Sequence, residues 1–129
     1  GEPLAGEIAM LPVAEDTLHS HASPRAAVGY LLHAATLDAA KLEGRLNLMM
    51  PAVACTIAEQ IEALRKVGGD AAVARIQRIR DMLVERIVAS WPHVFEAKRA
   101  LSLGFVPDRD FDEIVAIHIE EDLGGKARE

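Results

Sequence analysis

The sequence predicts an α/β unit that is mainly helical, with two or three short strands. Three observations predict it. Helix-start signatures precede apolar residues at helical spacing in three places. The remaining apolar runs are only a few residues long and are cut by prolines. Hydrophobic residues make up 50% of the chain against 26% charged, which supplies a packed core and excludes disorder. The strands are too few and too short to form a doubly wound sheet by themselves.

In chain order, Ile8 to Val13 is a short apolar run interrupted by Pro12, the mark of an edge strand. Ser23 before Pro24 is a capping residue followed by a first-turn proline. Val28, Leu31, Leu32 and Ala35 then form one apolar stripe on a helix from 24 to about 40. Residues 45–50, Arg-Leu-Asn-Leu-Met-Met, read as a strand that Pro51 ends. Thr56 and Glu59 make a capping box. The helix they start buries Ile57, Ile61 and Leu64 and stops at Gly68-Gly69, with residues 70–76 helical again. Residues 77–90 leave two readings open, a strand at Ile76, Arg78 and Arg80 and a short helix at Met82, Leu83 and Ile87. Another helix is expected over 94–104, ending at Gly104. Asp110 and Glu113 repeat the capping logic for a last helix with Phe111, Ile114, Val115 and Ile119 on its apolar face and Gly124 at its end. Without repeats or low-complexity segments, 1–129 reads as a single unit.

Composition excludes several functions. A net charge of −6 argues against a nucleic-acid partner, which selects a basic face. No apolar run approaches the roughly 20 residues of a bilayer span, so no membrane partner is expected. No basic-then-apolar leader is visible, and Cys55 is the only cysteine, so a reducing cytoplasm is expected, with Cys55 a buried structural thiol. Gly68-Gly69 and Gly124-Gly125 lack the spacing of a phosphate loop and follow no strand. His19, His21, His33 and His93 do not complete a metal-ligand spacing, so no metal is expected. His118 reads as a half-buried histidine with a satisfied ring, and Trp91 as a packing anchor. Arg75, Arg78, Arg80 and Arg86 read as a solvent-facing, ion-paired set. The Glu120-Glu121-Asp122 run reads as a solvated face placed unfavourably near a helix C-terminus.

Several stretches together resemble a known family. They are Ser90-Trp91-Pro92, Phe95, the Ala97–Ala100 stretch, Leu103-Gly104-Phe105, Asp112-Glu113-Ile114-Val115, and residues 21–38, His-Ala-Ser-Pro-Arg and the helix after it. With residues 45–70 they are similar to the C-terminal part of NAD-dependent epimerase/dehydratases, the extended short-chain dehydrogenase/reductases, in the D-erythronate dehydrogenase-like subgroup. The resemblance implies a C-terminal substrate-binding portion whose Rossmann core, catalytic serine and Tyr-x-x-x-Lys pair lie elsewhere. Tyr30 is not that tyrosine, because Ala34 stands where the lysine is required.

The resemblance further implies a substrate crevice faced by the stretch before the first long helix, with His19, His21, Ser23 and Arg25 binding the substrate. A helix start favours an anion, and Arg25 would hold a sugar-acid carboxylate. Where the subgroup carries an arginine near position 18, this chain has Leu18. The plain alternative is that Ser23 and Pro24 only cap the helix, Arg25 is solvated and the histidines lie on a surface. The implied activity is substrate shaping for an NAD-dependent oxidoreductase or epimerase acting on a small sugar acid, with no catalytic residue in this chain and no NAD bound to it alone. The expected partners are the Rossmann portion, the sugar acid and a second copy in a homo-oligomer. Faces such as Leu31, Leu32, Ile57, Ile61 and Ile114 would pack partly against absent residues and leave an apolar patch. The rival function is a stand-alone helical interaction module.

Overall fold

The computed structural model describes residues 1–125; residues 126–129, the end of the predicted unit, lie outside that description. Two small sheets and five α-helices are present among the described residues. Strand β1 (Ala9–Leu11) runs parallel to β4 (Ile76–Arg78), and β2 (Leu18–His21) runs antiparallel to β3 (Val53–Thr56). Between them the chain forms α1 (Pro24–Thr36), α2 (Ile57–Ala74), α3 (Met82–Ala89), α4 (Lys98–Ser102) and α5 (Phe111–Glu121). This mixed α/β architecture matches the expected class.

The capping residues act where the sequence places them. Ser23 Oγ accepts the Ala26 N–H at 3.0 Å and starts α1. Thr56 and Glu59 close a reciprocal box at the head of α2, with the Thr56 N–H donating to Glu59 at 2.7 Å and the Glu59 N–H to Thr56 Oγ1 at 3.2 Å. Asp110 accepts the Glu113 N–H at 2.9 Å, but Glu113 reaches back to the Arg109 N–H rather than to Asp110. Asp81 caps α3, so residues 76–90 are both of the things their pattern suggested, a strand followed by a short helix.

The expected stop at Gly68-Gly69 is a kink inside α2. Gly69 sits at φ 66°, ψ −173°, a region essentially reserved for glycine. Gly68 is a close approach: a Cβ there would lie 2.6 Å from the Ala72 Cβ and 3.0 Å from Leu4 Cδ2.

Three expectations about elements are corrected. Helix α1 ends at Thr36, because Asp38 turns its carboxylate onto the Ala40 N–H at 2.9 Å and starts a separate 3₁₀ turn at Ala39–Leu42. Residues 45–50 form no ladder. Leu48 and Met50 pack inward and Leu46 and Met49 are exposed, while Arg99 donates to the carbonyls of Leu42, Arg45 and Asn47. The helix expected over 94–104 shrinks to α4. Ser20 Oγ donates to the His93 carbonyl at 2.6 Å and His93 Nδ1 to the Leu18 carbonyl at 2.9 Å, and these bonds strap residues before α4 along β2.

The core is split. Tyr30, Ala97, Ala100 and Phe105 form one cluster; Leu4, Ala63 and Val115 form another. The inward face of α1 is Ala26, Tyr30, His33 and Leu37, so the apolar stripe read from the sequence points outward, with Leu31 at 73% and Leu32 at 66% exposure. Ile61 is buried, whereas Ile57 and Ile114 are half-buried. The chain exposes 8397 Å², against about 6,700 Å² for a compact monomer of 13.9 kDa. No helix among the described residues is long and apolar enough to cross a membrane.

Replacing Gly69 with alanine is expected to destabilise the chain by about 1–3 kcal/mol, because no neighbour clashes but the backbone conformation is wrong for a side chain. Urea unfolding of Gly69→Ala beside the parent chain measures this.

Candidate functional site

The four residues expected to bind substrate lie along one stretch, but the structure gives them different partners. His19 and His21 alternate with Leu18 and Ser20 on β2, so both imidazoles leave the same side of the strand. Their ring centroids are 4.8 Å apart. Trp91 lies 5.5 Å beyond His19, and Phe111 lies 5.1 Å beyond His21. The four rings form a ladder from the end of α3, across β2, to the first residue of α5. Gln60, one turn into α2, donates its amide N–H to His21 Nε2 at 2.8 Å and fixes that ring. Burial, and then the neighbouring His19 charge, holds the His21 imidazole below its ordinary value.

Ser23 is buried, and its polar groups are committed to the protein. Its N–H donates to Asp108 Oδ2 at 2.7 Å and its Oγ–H to Asp108 Oδ1 at 2.6 Å, while Oγ accepts from Ala26. Arg25 lies at the surface, where its guanidinium donates to Glu121 and Glu120 at 2.8 Å each. Two carboxylates of the α5 end therefore occupy the fork proposed for a substrate carboxylate. The same contact relieves the acidic run, whose third member, Asp122, bonds His118 Nδ1 at 2.6 Å. The structure thus groups His19 with His21 and directs Ser23 and Arg25 to other partners.

Other singled-out residues resolve as follows. Tyr30 donates its hydroxyl to the Pro51 carbonyl at 2.9 Å, and burial raises its phenol. Cys55 is a buried free thiol, pushed up by burial, which fits its structural reading. His118 has one satisfied nitrogen, not two: its buried Nε2 has no partner among the described residues. Trp91 is not a packing anchor, since 46% of it is exposed. Arg78 pairs with Glu15 and Arg80 with Glu85, as expected of a solvent-facing set, while Arg75 donates to the Pro3 carbonyl at 3.1 Å. Among the described residues no group of three metal-ligating side chains comes together. An apolar groove of about 380 Å³ lies between the first turn of the chain, β1, α2 and α5, with Leu4, Met10, Ile61 and Phe111 among its walls.

Asp108 and Gln60 are the residues that sequence reasoning missed. Asp108 is 85 positions from Ser23, and nothing local in either stretch announces the pair. Gln60 had a usable signal: it stands one turn into a capped helix that follows a strand.

No family model matches the chain. It is 42% identical over 120 residues to a D-erythronate dehydrogenase of Cupriavidus necator, covering 93% of this chain and 37% of that protein. A D-erythronate dehydrogenase of Haemophilus influenzae is 33% identical over 122 residues, covering 95% and 39%. The crystal structure of a nucleoside-diphosphate-sugar epimerase from Agrobacterium tumefaciens superposes with a TM-score of 0.95 at 50% identity, over 98% of this chain and 37% of that one. Over nearly its whole length the chain is similar to the Cupriavidus necator and Haemophilus influenzae D-erythronate dehydrogenases. It spans little more than a third of the length of these relatives.

For this D-erythronate dehydrogenase-like chain, the Asp108 link should matter more than any surface ion pair. Asp108→Ala is expected to destabilise by about 3 kcal/mol, since two buried donors of Ser23 lose their acceptor, and Asp108→Asn by less. Chemical denaturation of the two variants reads the difference. A second expectation concerns pH. With the folded His21 below its unfolded value of 6.5, the unfolded chain binds more protons as pH falls below about 6.5, so stability drops there and is regained above it. His21→Gln should flatten that part of the profile in thermal melts taken between pH 7.5 and 5.

Proposed function

We propose that this chain is the substrate-shaping portion of an NAD-dependent oxidoreductase acting on a small sugar acid of the D-erythronate type. Hydride and proton transfer would belong to a Rossmann portion outside these 129 residues. The observation that carries the reading is near-complete coverage of this chain by proteins named D-erythronate dehydrogenase, of which it spans little more than a third. In cells, a reducing cytoplasm suits the free Cys55 thiol.

Physical features support the division. About 1,700 Å² of surface beyond a compact monomer's is what half of a two-part globule would carry. The outward stripe of α1 and the segment 45–50, which joins no ladder, both expose apolar side chains. We assign both to the contact with the Rossmann portion, which would cover those exposed side chains. Self-association through the same stripe is the alternative occupant.

NAD does not fit the described residues. The place where a strand runs directly into a long helix is β3 into α2. A dinucleotide site needs a glycine turn there and a free helix N-terminus for the pyrophosphate. Thr56 stands in the turn instead, and the Glu59 carboxylate occupies the N-terminus.

Grafting residues 1–129 in place of the matching segment of the Cupriavidus necator relative is expected to give a chimera that oxidises D-erythronate with NAD. A folded chimera that binds NAD but leaves D-erythronate untouched overturns the reading. Calorimetric titration of the 129-residue chain with NAD should show no saturable heat, and tight binding would move the cofactor site into this chain.

A further inference from the structure

Trp91 is the one tryptophan of the chain, and its exposure contrasts with that of the other large rings. Tyr30 and Phe105 are buried at 8% and 3%, whereas Trp91 keeps 46% of its surface in water. An exposed indole usually marks a surface that meets something. This one is held in place. The Trp91 backbone N–H donates to the Val88 carbonyl at 3.0 Å, Pro92 follows it, and His93 is tied to Leu18 and Ser20 on β2. One side of the ring leans on His19 at an interplanar angle of 53°, and His19 in turn rests against His21, which Gln60 orients. Trp91 is therefore a pre-set π-face beside the His19 imidazole, whose ring nitrogens can donate or accept a hydrogen bond.

We propose that Trp91, backed by His19, is a specificity-determining platform that packs against the C–H face of a short polyhydroxylated carbon chain. The identity of that chain as a sugar acid rests on the function proposed above. The division of labour follows from chemistry. Hydroxyl-bearing carbons carry polarised C–H bonds that suit an indole face, while a hydroxyl group at the ring edge turns to the His19 imidazole. Arg25, paired with two glutamates, is left out of this arrangement. A carboxylate lacking hydroxylated carbons offers the platform nothing.

The single tryptophan makes the test direct. In the 129-residue chain, D-erythronate at concentrations on the order of 10 mM is expected to change Trp91 emission saturably, and acetate is not. No response to D-erythronate, or an equal response to acetate, overturns the platform. In the chimera, Trp91→Ala is expected to raise KM for D-erythronate about tenfold with kcat and the KM for NAD little changed, and Trp91→Phe to restore most of it. An active chimera in which Trp91→Ala leaves KM unchanged sinks the platform and keeps the proposed function. An inactive chimera beside a saturable emission change in the 129-residue chain does the reverse.

Discussion

The Ser23–Asp108 contact is the constraint on which the arrangement rests. One serine caps α1 through its oxygen and donates twice to a single carboxylate from the segment before α5. That carboxylate also sits at the positive end of α1, where a negative charge is favoured. The contact fixes the turn out of β2, so the step from the strand that carries His19 and His21 into α1 is held by a residue far along the chain. Two positions after Asp108, Asp110 caps α5, so α1 and α5 take their starting points from the same few residues.

Local chemistry in the sequence announced most of the elements. Ser23-Pro24, the Thr56–Glu59 box and Asp110 each specify a helix start by a hydrogen bond within three residues, so no tertiary information is needed to find them. What failed was what depends on distant partners. The 94–104 stretch has helical composition, yet His93 just before it is bonded to β2, and the helix begins only at Lys98. Residues 45–50 have the alternation of a strand, but a strand needs a neighbour, and Arg99 takes the carbonyls a neighbour would use. For α1, the stripe was correct as a pattern and wrong in direction: periodicity finds an apolar face without saying what lies against it.

The candidate site was legible in the same uneven way. The spacing of His19 and His21 places them on one side of a strand, and the structure keeps them together. Ser23 had been given a ligand role and a capping role, and the buried carboxylate of Asp108 takes up its polar atoms. Trp91 was read as core because a lone tryptophan usually is, while its exposure follows from the strap that pins its neighbour His93 to β2.

The two core clusters share no buried side chain. One gathers α1, α4 and the Phe105 turn; the other gathers the first turn of the chain, α2 and α5. Each can therefore loosen without dismantling the other, in the manner of separate cooperative units. Amide protons in the α2–α5 half need not exchange in step with those around Tyr30, and ligands or domains that clasp both halves would draw their exchange together.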